Sequence, residues 1–110
     1  YVVEGMNLYQ TNCANCHQVD GSGLKDLYPP LAKTDLWQRV KMSELACIIK
    51  HGQKDSIRVN GKPYNAYMPA NPKLQALDIA ELVTYMREKW SPNKMIFSLD
   101  STRFALKNCP

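Results

Sequence analysis

An all-α domain with long connecting loops is the fold class that this 110-residue sequence predicts, on two observations. Apolar residues recur at helical spacing in three separate stretches, near residues 3–14, 43–51 and 78–90. The segments between them hold glycines and prolines that break regular structure. The length predicts one domain. A chain this short buries only a modest core, so its loops have to be held by something besides one another. Hydrophobic residues at 45% and charged residues at 22% are ordinary for a soluble globular chain. No apolar run approaches the ~18 residues that cross a bilayer. Nor does the N-terminus show the basic, apolar, small-residue order of a secretory leader. The chain reads as a mature form or as a domain cut from something longer.

In chain order, Val2, Met6, Tyr9 and Cys13 fall on one face of an amphipathic helix near residues 3–14, which delivers Cys13 and Cys16 at its C-terminal end. Asp20-Gly21-Ser22-Gly23 breaks it. Tyr28-Pro29-Pro30-Leu31 is extended, because each proline fixes its own φ and restricts the residue before it. A short helix over Asp35–Val40 with Thr34 as cap comes next. Ser43–His51 is the second firm helix, stopped by Gly52 in the favoured C-terminal position. Asn60-Gly61 is a hairpin signal, but Pro63 limits strand pairing, so residues 57–64 are expected to be an irregular loop with one tight turn. The third helix has Asp78 as N-cap, Glu81 three residues on and a Leu77–Leu82 staple. Its apolar stripe is Ile79, Leu82, Val83, Met86 and Trp90, with Arg87 and Lys89 in the last turn and Ser91-Pro92 as the stop. A short tail helix near Asp100–Lys107 closes the chain.

The net charge of +4 is unevenly spread. Between Lys33 and Lys73, eight basic residues face three acidic ones, a local +5 that suits a surface steering acidic partners or a plain solvated face. Basic and aromatic residues are not interleaved as nucleic-acid binding requires.

Cys13-Ala-Asn-Cys16-His17 is the attachment motif of c-type haem. On a helical turn, cysteines three apart lie on one face, where each thiol can add to a haem vinyl group, and the next residue, His17, can ligate iron. Haem iron then wants a sixth ligand or an open face. Met68, 51 residues after His17 and set in Tyr67-Met68-Pro69, is the candidate, because its proline-flanked loop is no helix stripe. Met6 and Met86 fall on apolar helix faces and read as core filler, while Met42 and Met95 have no motif around them.

Over about residues 2–90 the chain resembles the class I, mono-haem c-type cytochromes, in a bacterial type with a C-terminal extension. Gly5 and Tyr9, eight and four residues before Cys13, match the small residue and the aromatic where the family's first helix crosses its last. Leu82 and Tyr85 match their counterparts. Tyr28-Pro29-Pro30-Leu31 resembles the stretch whose carbonyl accepts a hydrogen bond from the ligand histidine, here assigned to Pro29 with Pro30 second. The resemblance implies the cytochrome c fold: three main helices, short helices and long loops around one covalently bound haem c with iron, held by Cys13, Cys16, His17, Pro29 and Met68. It implies a single-electron carrier that is not an enzyme, in a respiratory chain. Residues 1–92 are the expected cytochrome domain and 93–110 an extension packed on it.

In that extension Cys109 is not needed for haem, nor is Cys47, which lies off the Leu45–Ile48–Ile49 stripe. A Cys47–Cys109 disulfide is the hypothesis, closing about 62 residues for up to roughly 4 kcal/mol; two free thiols are the alternative. Arg58, Trp37, Tyr64 and Asn60 are candidate haem-propionate partners, and Lys50 and Lys54 candidate docking residues. Other readings are an electron-transfer domain or subunit of a larger oxidase or dehydrogenase, a haem-based sensor or enzyme with an open face, and a zinc site of Cys13, Cys16, Cys47 and His51. Haem attachment and a disulfide both suit a bacterial periplasm or an extracytoplasmic membrane face, with no membrane span and with redox partner proteins bearing acidic docking surfaces.

Overall fold

A computed structural model describes residues 1–25, 27–65 and 67–110. Two helices set the frame. The first, α1 (Val2–Asn12), crosses α5 (Ala76–Trp90), and the crossing is close because Gly5 offers no Cβ. A methyl group there would collide with the Glu81 carbonyl oxygen and lie 2.5 Å from Tyr85 Cβ. Tyr9, one turn on, stacks into a cluster with Tyr85 and Trp90, with ring centroids 5.3 to 6.1 Å apart. The face that packs inward is therefore Gly5 and Tyr9. Val2 and Met6, expected on it, are exposed, because the tight glycine contact rotates them toward solvent.

The predicted N-terminal helix also breaks. Cys13 leaves helical geometry at φ −124°, and a separate turn, α2 (Ala14–His17), follows. Next come α3 (Leu36–Arg39) and α4 (Met42–His51). The cap of α3 is Asp35 rather than the expected Thr34, although Thr34 Oγ1 accepts from the Leu36 N–H at 3.3 Å. Gly52 closes α4 at φ +83°.

Residues 57–64 are not the irregular loop expected. They form an antiparallel hairpin, β1 (Ile57–Val59) with β2 (Lys62–Tyr64), turning at Asn60 (φ 53°) and Gly61 (φ 77°), both left-handed as the tightest hairpin turn demands. Pro63 faces Arg58, one pair beyond the turn, where an antiparallel ladder needs no N–H. The proline is thus compatible with pairing.

The start of α5 differs as well. Its cap is Gln75, and Asp78 serves at the third helical position, accepting from the Gln75 N–H at 2.8 Å. Leu77 is exposed and makes no staple. Ile79, Leu82, Val83 and Met86 are buried as the stripe predicts.

After Ser91 the chain runs back to α6 (Leu99–Lys107), which packs on α4 and α5. Phe97 is pinned on the way by Thr84, whose Oγ1 accepts from the Phe97 N–H at 3.1 Å. Beyond α6, Cys109 is bonded to Cys47 of α4 (S–S 2.02 Å). The architecture is helical with one small two-stranded sheet.

Candidate functional site: an apolar cavity between a histidine turn and a methionine loop

The long loops and α4 enclose a cavity of about 1060 Å³, counting its open mouth. Cys13, Cys16, His17, Pro29, Met68 and Pro69 line it, together with the apolar side chains of Leu31, Leu36, Leu45, Ile48, Ile49 and Met86. Among the described residues no carboxylate lines it. Such a lining accepts a large apolar group and repels water.

His17 is buried at the end of α2. Its Nδ1 lies 2.8 Å from the Pro29 carbonyl oxygen. A carbonyl can only accept, so Nδ1 carries the proton and Nε2 keeps its lone pair. Burial pushes the imidazole below its ordinary pKa, and the Pro29 bond opposes this in part. A neutral, oriented ring is what a metal ligand requires. Burial also pushes the Cys13 thiol up to about 12, which keeps it protonated; Cys13 and Cys16 form no disulfide. A thioether has no proton to lose and escapes that constraint.

Met68 is held by its backbone. Its N–H and C=O pair with Gln53, both at 2.9 Å, just past the end of α4. The approach needs Gly52, since a Cβ there would lie 2.5 Å from the Met68 carbonyl oxygen. The five residues singled out from sequence thus meet at one cavity, although 51 positions separate His17 from Met68.

The other residues singled out from sequence have bonds within the chain. Trp37 donates its indole N–H to the Leu31 carbonyl (2.8 Å). Asn60 ties the hairpin to the loop before α3, through Lys33 and Asp35. Arg58 donates to Gly61 in its own turn (2.6 Å). Of the four propionate candidates, Trp37 and Tyr64 line the cavity. The disulfide removes Cys47 from any zinc site, and among the described residues no three His, Cys, Asp or Glu side chains converge on one point. Met42 and Gln53 also line the cavity without having been picked out from sequence. For Gln53 the usable clue was its place after the Gly52 stop.

The family model for Cytochrome c matches residues 2–90. The chain belongs to the cytochrome c family. This cytochrome is 28% identical over 96 residues to cytochrome c-552 of Thermus thermophilus, covering 84% of this chain and 72% of that protein. It is 34% identical over 89 residues to the cytochrome c subunit of the quinone alcohol dehydrogenase of Gluconacetobacter polyoxogenes, covering 80% of this chain but 19% of that subunit. Among solved structures, the c-type cytochrome XoxG from Methylobacterium extorquens AM1 shares the fold, with a TM-score of 0.56 at 24% identity, over 96% of this chain and 65% of that one. Like its family, the cytochrome binds covalently attached haem c with iron. The apolar cavity, the paired thiols at its wall and the buried neutral imidazole fit that group. No helix is long and apolar enough to cross a membrane among the described residues.

Proposed function

We propose that this cytochrome is a single-electron carrier whose haem c is attached through Cys13 and Cys16 and ligated by His17 and Met68. The observation that carries the reading is one cavity bounded by an oriented His17 and by a backbone-anchored Met68. When bound, haem supplies a one-electron change between ferrous and ferric iron. The protein's part is to keep both ligands in place so that little reorganises with the charge. The Pro29 carbonyl holds the imidazole, and Gln53 holds the methionine backbone. Thioether ligation and dry surroundings both favour the ferrous state, which makes the reduction potential positive.

The docking surface lies at the cavity mouth, among the basic residues of the middle segment. Lys41 and Lys54 are exposed, and each neighbours a lining residue, Met42 and Gln53. Acidic redox partners would dock there transiently. Residues 1–92 are the cytochrome domain, and 93–110 an extension packed on it. The disulfide suits an oxidising compartment, either a bacterial periplasm or an extracytoplasmic membrane face. A second reading, an electron-transfer domain or subunit of a larger dehydrogenase, draws support from the 34% identity to an alcohol dehydrogenase subunit.

Visible spectra of the oxidised and dithionite-reduced protein test the assignment. The expected result is the sharp reduced band of haem c together with the weak far-red band of thioether sulfur on ferric iron. Met68→Ala should abolish the far-red band and leave the reduced haem c band. A colourless wild type would refute the haem reading, and a far-red band surviving in Met68→Ala would refute the ligand.

A further inference from the structure

The end of α4 and the segment that follows Met68 are stitched together by side chains that haem binding itself does not require. The last turn of a helix leaves carbonyls without intrahelical partners. In α4 those of Ile49 and Lys50 are taken by Asn71, whose side-chain amide donates to the Ile49 oxygen at 2.9 Å and whose backbone N–H donates to the Lys50 oxygen at 3.2 Å. Lys50 reaches across in return. Its ammonium donates to the Pro72 carbonyl at 3.0 Å and to the Leu74 carbonyl at 2.6 Å. No carboxylate of the described residues forms an ion pair with it. Lys50 is itself half-buried and directly follows Ile49, which lines the cavity.

We infer that Lys50 is a positioning residue for Met68, clamping the 72–74 segment to α4 and so restraining the loop whose other end is paired to Gln53. This inference rests on reading Met68 as an axial ligand. It departs from the sequence expectation for Lys50, because an ammonium engaged with two carbonyls is not free for a partner protein. The physical logic is that of a strap. Met68 is fixed on one side by the Gln53 bonds, but three residues on the chain turns toward α5, and among the described residues the hydrogen bonds that join that stretch to α4 are those of Asn71 and Lys50. Releasing the ammonium removes two charge-assisted bonds at the far end and raises the fraction of time in which the loop swings away.

The test uses the ferric holoprotein alone, comparing wild type, Lys50→Met and Lys50→Arg. Imidazole is the probe, because it binds iron only when the sixth position is vacated, so its apparent affinity scales with that population. Loss of the far-red band reports its binding. Amide hydrogen exchange is followed in parallel at Met68 and Leu74, with Leu82 and Tyr85 of α5 as controls. The expected result is roughly tenfold tighter imidazole binding and roughly tenfold faster exchange at Met68 and Leu74 in Lys50→Met. The α5 amides should be unchanged, and Lys50→Arg, which keeps donors, should recover most of the effect. Unchanged imidazole affinity and exchange in Lys50→Met would overturn the inference. So would exchange that rises equally in α5, since that marks general destabilisation. If wild type shows no far-red band, the ligand reading fails and the positioning role with it; faster exchange confined to Met68 and Leu74 would then leave Lys50 as a loop anchor only.

Discussion

Gly5 shows how one missing atom sets a helix crossing. The α1 and α5 backbones touch where its Cβ would stand, so any side chain forces them apart. Gly5→Ala should cost up to about 2 kcal/mol, the overpacking of about 1–3 kcal/mol being offset by a gain in helix propensity of about 1 kcal/mol. A lowered midpoint in denaturant melts of the holoprotein checks this. Tyr9 makes a pH prediction at the same scale. Burial raises its pKa above the usual phenol value of about 10, and its hydroxyl donates to the Gln18 carbonyl at 2.6 Å. For a group raised in the folded state, the stabilisation is full below the unfolded pKa and is lost as pH climbs toward the folded one. Stability should therefore fall above about pH 10, where the unfolded chain ionises Tyr9 more readily than the native one does. Denaturant melts at stepped alkaline pH should show a shallower fall in Tyr9→Phe.

At the scale of elements, α6 is joined to the body by packing, by the Thr84 pin on Phe97 and by the Cys47–Cys109 bond. The disulfide closes a loop of 62 residues, and its removal by Cys47→Ser with Cys109→Ser should cost up to about 4 kcal/mol. Thermal melts with and without a thiol reductant measure it: wild type in reductant should approach the double variant, and the double variant should ignore the reductant. Elements were legible where their own residues dictate them. The stripe of α5, the Gly52 stop of α4 and the tail helix all follow from local periodicity and breakers. Pro63 argues against the hairpin only as a residue type. Its effect depends on which way its missing N–H would point, and the register of pairing decides that. The start of α5 was misplaced for a related reason: Asp78 is good at a cap and equally good three residues inside one.

Across the whole molecule, charge at the cavity mouth should govern encounter with partners. Lys54→Glu should slow electron exchange with an acidic redox partner severalfold at low ionic strength, and the difference should shrink as salt rises. Stopped-flow rates over a salt series decide it; a rate unaltered at low salt would remove Lys54 from the docking surface. Lys50→Met should behave in the opposite way, altering the partner-free protein and showing little dependence on salt. The two lysines are four residues apart and carry the same charge. Only their surroundings separate one facing solvent from one tied to Pro72 and Leu74.

Sequence alone determined the chemistry of this cytochrome. Cys13, Cys16 and His17 lie within five residues of one another, so helical geometry brings them together, while the places of Gly5 and Tyr9 at the helix crossing were implied by the family resemblance. Met68 could be singled out because a proline-flanked methionine has no helix face to serve, and it lies on the cavity wall. What only the tertiary structure decided is how the methionine loop is held. The Gln53 pairing, the Asn71 cap and the Lys50 strap join residues 15 to 24 positions apart, through backbone groups that every residue type shares. A backbone carbonyl carries no mark in the sequence of which donor will reach it. That choice is made when α4 and the loop are brought side by side, and Gly52 is the one residue whose identity records how close they come.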